Sequence, residues 1–402
     1  MAISLPSLRL DLDILPSPDT SRPGLLLRDP YQYSSATLLI PPLLISGLRL
    51  FDGERSLNDL QADFASVAGL KQADTFADSL YHALDQAGFL DNVHYYEMKA
   101  RREEEFAEAT TRESAFAGSA YPKERSALEK LLSSRVGAAE GTPATLGIAA
   151  PHASPDRGWK TYRAAYRSLP SGNAEDRTFV ILGTSHYGAP ECFGLTRKAF
   201  VTPLGEARTD VRLVNELERA APKAIRMEDY CHSIEHSIEL QVIFLQYLYG
   251  PDVRILPILC GPFVESMMNG GLPENSADLQ RFFDALGTIA VREGRNLFWI
   301  LGVDMAHLGT RYGDPQPVIA DRDQMVQVRQ RDHQRIGQLT AGDHRGYWNL
   351  IQENCDDLRW CGSAPIYTFL KALPQARGML LDYQQWQIDP GSVVSFAALR
   401  FA

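Results

Sequence analysis

Nine histidines and five cysteines carry most of the metal-binding and nucleophilic capacity of this 402-residue chain, and they are unevenly placed. Five of the nine His lie between residues 152 and 307, and three of these follow apolar runs in the same manner. Thr145–Ala150 leads into Pro151-His152-Ala153, Thr178–Gly183 into Thr184-Ser185-His186-Tyr187, and Asn296–Gly302 into Val303-Asp304-Met305-Ala306-His307. If these runs are parallel strands, each delivers an imidazole to the carboxyl edge of one sheet, where open α/β folds bind their ligands. Imidazole suits Fe, Zn and Cu, and two His plus an anionic third donor would hold such an ion with positions left open. Cys361, Asp304 and Glu235 are the candidates for that third donor. Cys361 stands in Arg359-Trp360-Cys361-Gly362-Ser363, a loop entering a helix, and a thiol near a helix N-terminus loses its proton more readily. The plainer reading makes each His a hydrogen-bonded loop residue whose ring points away from the others.

A second polar cluster, Cys231-His232-Ser233-Ile234-Glu235-His236-Ser237-Ile238-Glu239, places His232 and His236 at i, i+4. The H-E-x-x-H order of a zinc protease helix is absent from it. Cys192, Cys260 and Cys355 read as buried small hydrophobes, since the five cysteines are odd in number and form no C-x-x-C pair.

The elements that must position these residues divide near residue 100. From 117 to 402 the chain alternates strands and helices, the signature of a layered α/β domain. Its remaining strands are expected at Val253–Leu259, Met379–Tyr383 and Val393–Leu399, with helices at 158–168, 233–249, 276–293, 319–340 and 363–372. Residues 1–97 read as a small α+β module: a strand at Gly24–Arg28, a helix capped by the Ser56 side chain, and a second helix from Phe76 to Ala87. The charge-dense stretch 98–116 reads as a solvated helical connector.

Charge and hydropathy then exclude several functions. A net charge of −10, of which residues 1–97 hold −7 from six basic and thirteen acidic side chains, offers no footprint for nucleic acid or an anionic membrane. Leu38–Leu50, the most apolar stretch, is too short to span a bilayer, and the N-terminus lacks a secretory signal, so a cytoplasmic protein is expected.

Several ordered motifs carry a resemblance: Ala117-Gly-Ser-Ala-Tyr-Pro, Ala150-Pro-His-Ala, Gly183-Thr-Ser-His, Val201-Thr-Pro-Leu-Gly-Glu, Glu235-His-Ser-Ile-Glu, Asp304-x-x-His307, and Cys361-Gly with Pro365-Ile. From about Ala117 onward the sequence resembles the Memo family, whose fold is shared with LigB-type class III extradiol dioxygenases that use non-haem Fe(II). The resemblance implies His152, His186 and Cys361 as metal ligands, His307 as the acid/base residue with Asp304 beside it, and Glu235, His236, Ser185 and Tyr187 around the pocket. Where the family continues Pro-His-Ala with Gly-Tyr, this chain has Ser154-Pro155.

It also implies a metal-dependent redox or dioxygenase-like protein acting on a small or peptide-borne substrate. Fe(II) is favoured, while the thiolate admits copper or zinc. The alternative is a non-catalytic copper- or iron-binding or partner-docking protein using the same site. Leu50–Asp91 resembles the PqqD-like peptide-recognition modules, which have a winged-helix shape. Memo proteins with an added N-terminal region look like protein B of the AmmeMemoRadiSam system, which implies an AMMECR-type protein and a radical S-adenosylmethionine enzyme as partners.

Overall fold

Four apolar runs pair in parallel to form the centre of the larger unit: Gly147–Ala150, Leu297–Gly302, Thr178–Thr184 and Arg254–Cys260, in that spatial order. Almost every residue in them is buried, as strands covered on both faces require. The computed structural model describes residues 4–402 apart from 18, 67–71, 142–143, 173 and 175. It extends these four strands into a twelve-stranded mixed sheet. On one side lie antiparallel Ser392–Phe401 and its partner Gly378–Asp389; on the other lie Gly205–Thr209, Ala199–Thr202 and Thr111–Arg112.

Side chains alternate between two separate cores, because successive residues of a strand face opposite ways. Val180, Leu182, Trp299 and Leu301 pack with the helices Val211–Ala220, Ala277–Glu293 and Ser363–Ala372. Phe179, Ile181, Phe298 and Ile300 pack with Arg125–Arg135, Pro155–Arg167 and Glu239–Tyr249. The unit is therefore a helix–sheet–helix layer structure, with its parallel strands ending together at one edge.

The other compact unit runs to Glu108, and the larger one begins at Ala109. The small unit is α+β: a three-stranded antiparallel sheet, Asp13–Pro16, Leu25–Arg28 and Thr37–Ile40, is followed by helices Leu57–Ser66, Ala73–Gln86 and Val93–Glu108. Leu27, Ile40, Phe64, Leu80, Leu84 and Phe89 form its core. Residues 98–108, within the stretch read as a connector, complete its last helix and bury Phe106, whereas 111–112 form a strand of the larger unit.

Several expectations change. Ser56 does not cap by accepting: its hydroxyl donates to Asp59, whose carboxylate also accepts the Ser56 backbone N–H. The strand expected at 379–383 runs twelve residues, and the helix expected from 319 starts at Gln324. Cys355 is exposed and Cys192 half-buried, so neither is a core thiol, while Cys260 is buried. Among the described residues no helix is long and apolar enough to cross a membrane.

The most consequential difference lies at 233–249. The helix expected there is two, Cys231–Ile234 and Glu239–Tyr249, separated by extended backbone at Glu235 (φ −86°, ψ 137°). The break sits against two glycines at the ends of central strands. A Cβ on Gly302 would lie 2.4 Å from the Ser237 carbonyl oxygen, and one on Gly183 would lie 2.6 Å from the Ser237 hydroxyl. Bare backbone at both positions lets residues 235–238 descend onto the strand ends.

Candidate metal centre

His152 and His186 each follow a central strand by two residues, and Cys361 stands two residues before the helix Ser363–Ala372, which Gly362 caps. One nitrogen from each ring and the Cys361 sulfur lie within 4.8 Å of one another. The His152 Nε2 to Cys361 Sγ distance is 3.3 Å. Donors bonded at about 2.0–2.3 Å to one tetrahedral ion would stand roughly 3.5 Å apart. The far side of each ring is tethered. His152 Nδ1 donates to the Gly302 carbonyl (2.9 Å), and His186 Nδ1 donates to the Glu235 carboxylate (3.0 Å). This is how metal-ligating imidazoles are usually fixed, with Nδ1–H held by a carbonyl or carboxylate and Nε2 left free.

The helix break is what brings Glu235 here. In a continuous helix its side chain would leave with the 3.6-residue period; in extended backbone it turns under the His186 loop. It accepts from the His186 backbone N–H (3.0 Å) as well as the ring, and from the N–H groups of His236 (2.8 Å) and Ser237 (3.2 Å). His236 Nδ1 stands 3.0 Å from the same carboxylate, so its ring stacks on that of His186 with centroids 5.0 Å apart. His186, Glu235 and His236 form a second group of metal-compatible donors, sharing His186 with the first.

The charges in the cluster support one another. Burial alone would raise the Cys361 thiol, but His152 and His307 hold it well below its usual value. Burial would lower His152, but Cys361 and Asp304 carry it up to about 9. Partial desolvation would likewise lower His186, which is exposed at its outer face, yet Glu235 keeps it well above the ordinary imidazole range. Glu235 resists its own burial through His186 and His236 and stays well below the carboxylate range. His236 is lowered, burial outweighing Glu235. The thiolate form of Cys361 and the protonated forms of His152 and His186 therefore favour one another.

Asp304 lies outside the ligand group. It accepts the His152 backbone N–H (3.0 Å), and its second oxygen is 3.7 Å from His152 Nε2. His307 is reached from the next strand, His307–Gly309, with Nδ1 donating to the carbonyls of Met305 (2.9 Å) and Arg359 (3.1 Å). Ser185 is buried, its hydroxyl occupying the space a Cβ on Gly188 would need, and Tyr187 is half-buried with its ring 6.3 Å from His186. His232 does not join His236. The break between them ends the i, i+4 relation, and His232 Nε2 donates instead to the Gly194 carbonyl (3.0 Å).

Sequence reasoning missed two supports. Arg112, taken as part of a solvated connector, is fully buried and donates to the carbonyls of His232 (2.7 Å) and Glu235 (2.9 Å) and to the Glu239 carboxylate. In the sequence Arg359 stands out only as a neighbour of Cys361. The signal for Arg112 is the weakly polar stretch Ser114 to Tyr121, which begins directly after Glu113 ends the charge run; for Arg359 there is none.

Comparison with known proteins places the chain in a family. Residues 112–400 match the Memo-like protein family model. The chain belongs to that family. A MEMO1 family protein of Aquifex aeolicus is 27% identical over 380 residues, covering 94% of this chain and 95% of that one. The match therefore extends well into the N-terminal unit. The MEMO1 family protein TK1477 of Thermococcus kodakarensis is 32% identical over 307 residues, covering 71% of this chain and 98% of that relative.

Proposed function

We propose that this protein is a mononuclear metalloprotein in which His152, His186 and Cys361 hold one divalent ion, iron being the first candidate, for redox or dioxygenase-like chemistry on a small or peptide-borne substrate. The observation that carries this reading is the tethering of both Nδ1 atoms, to Gly302 and to Glu235, which leaves two Nε2 atoms and one sulfur within reach of a single centre. The donor set fits such an ion in type and number, with positions left for substrate. A metal bound there would supply Lewis-acid or electron-transfer chemistry. The chain's own residues do the rest. Glu235 and Gly302 orient the ligands, Asp304 fixes the His152 loop through its backbone N–H, and His307, with Nδ1 engaged, offers Nε2 to take or give a proton. In this reading the protein is cytoplasmic, and the N-terminal unit presents a peptide or protein to the radical enzyme of an AmmeMemoRadiSam-type system, alongside an AMMECR-type partner protein.

Metal analysis of protein purified without added metal tests the site. Near-stoichiometric metal is expected in the wild type, with a loss of at least about 100-fold in affinity for His186→Ala and Cys361→Ser. Metal content indifferent to both substitutions would refute it. The soft Cys361 donor also favours a second reading, a copper- or iron-binding protein without catalysis. Oxygen uptake by the metal-loaded protein with a catechol or a reductant separates the two: uptake supports oxidation chemistry, and its absence supports binding alone.

A further inference from the structure

Arg359 grips His307 from two directions. Its backbone carbonyl accepts the ring Nδ1–H (3.1 Å), and its Nη1 donates to the His307 backbone carbonyl (3.0 Å). The guanidinium also binds Asp314 through both terminal nitrogens (2.6 and 3.2 Å), and Asp314 in turn accepts the Gly309 backbone N–H (2.7 Å). Four residues thus tie the start of the His307 strand to the loop that carries Cys361. The backbone conformation agrees with a positional demand: Arg359 has φ +53°, in the left-handed region that side-chain-bearing residues seldom adopt. Such outliers persist where the surroundings over-determine them, and they collect at functional sites.

The plain alternative is a surface ion pair that merely steadies the loop. The Arg359 side chain is 40% exposed and that of Asp314 is 21% exposed, and exposed pairs of this kind contribute little to stability. The contacts to His307 are different in kind: the Arg359 backbone carbonyl engages ring Nδ1, and the guanidinium, through the His307 carbonyl and Asp314, holds that carbonyl in place. With Met305 and Arg359 both presenting carbonyls to Nδ1, only Nε2 is left to face an occupant of the site.

We infer that Arg359 is a positioning residue for His307, locking the imidazole with Nδ1 turned onto two carbonyls and Nε2 presented to the bound substrate. This rests on the reading of His307 as the proton-handling group, but its test does not require a metal. The tautomer of His307 is read from ring ¹⁵N shifts in full-length protein labelled with ¹⁵N-histidine. The ring is kept neutral at alkaline pH, the protein is examined metal-free and zinc-loaded, and the signal is assigned by its disappearance in His307→Gln. In the wild type Nδ1 carries the proton. Arg359→Met keeps the backbone carbonyl but removes the guanidinium that anchors it, and with that carbonyl's bond to Nδ1 released the tautomer ratio shifts about fivefold toward Nε2–H, the equivalent of one hydrogen bond's net preference. Arg359→Lys, which keeps a donor for the His307 carbonyl, restores the wild-type pattern. If Arg359→Met fails to fold by circular dichroism, Asp314→Asn supplies the same decision by loosening the guanidinium. An unchanged His307 signature in the methionine or asparagine variant, or a wild-type ring protonated at Nε2, overturns the inference. A wild type that takes up no zinc but shows the Nδ1–H pattern would refute the metal reading and leave the latch standing.

Discussion

Glu235 and Glu239 lie four residues apart, are both buried, and do opposite things. Glu235 spends its oxygens on groups that face a site: the rings of His186 and His236, and the backbone N–H groups of the loops that carry them. Glu239 closes on itself. It accepts from Arg112, from the Tyr121 hydroxyl, and from the backbone N–H groups of Ala115 (2.9 Å) and Phe116 (3.0 Å), which pins residues 111–121 across the start of its helix. The contrast teaches that a buried carboxylate is functional or structural according to whether its partners retain a free face. The imidazoles bound by Glu235 keep one nitrogen each, whereas nothing bound by Glu239 has anything left to offer.

The largest expected effect breaks the closed side. Glu239→Ala leaves the Arg112 guanidinium buried without its carboxylate, which should cost about 3–5 kcal/mol in chemical denaturation of the metal-free protein. Metal affinity per folded molecule should fall much less. Next comes a pH effect at His232, whose carbonyl Arg112 holds. Burial, with Arg112 adding to it, outweighs Asp229 and lowers this imidazole to about 4. Between pH 6.5 and 4 the unfolded chain therefore binds a proton that the folded chain refuses, so stability falls as pH drops through that window. The full loss is about 3 kcal/mol and levels off below pH 4. Denaturation midpoints followed from pH 7 to 4 should show the slope, and His232→Asn should remove its share; an equal slope in the variant would mean that His232 titrates normally.

Glu235→Gln sharpens the other side. The amide keeps one acceptor for the His186 ring but loses the charge that holds both imidazoles, so metal affinity should fall about 10- to 100-fold. Unfolding of the metal-free protein should change by about 1.5–3 kcal/mol, the worth of a hydrogen bond to a charged group, because the amide turns its NH2 onto N–H groups that the carboxylate accepts from. Competition against a chromophoric chelator measures the first and denaturant titration the second. The reverse ranking, a large stability loss with unchanged affinity, would make Glu235 another Glu239.

The sequence made the strands and their terminal histidines legible for one physical reason: strands covered on both faces are continuous apolar runs, and Thr178–Thr184 or Leu297–Gly302 have few other uses. Strands nearer the edge, Ala199–Thr202 and Gly205–Thr209, carry charged and half-exposed residues and were not seen, nor was the helix Val211–Ala220 despite its Asp210 cap. The break at Glu235 was illegible because Glu-His-Ser-Ile has no intrinsic breaker. Its cause is tertiary: backbone amides that Glu235 satisfies and bare glycines, Gly183 and Gly302, that sit far away in sequence. Local propensity cannot report a partner 50 residues off. The same limit hid Arg112, whose three acceptors all lie beyond residue 230.

The smallest test is also the most selective. Tyr121 lies in the first family-like motif, Ala117-Gly-Ser-Ala-Tyr-Pro, and a motif position invites a functional role. In the structure its hydroxyl ends on Glu239, on the closed side, and burial together with that carboxylate pushes its ionisation far above the usual phenol range. Tyr121→Phe removes one of four donors and leaves a carboxylate still satisfied by Arg112 and two backbone N–H groups, so the cost should be about 1 kcal/mol of stability. Metal affinity should stay within twofold of the wild type, about 0.4 kcal/mol. Should Tyr121→Phe instead lower metal binding as Glu235→Gln does, the two carboxylates would be coupled through the short helix break between them, and the division between an open and a closed side would fail.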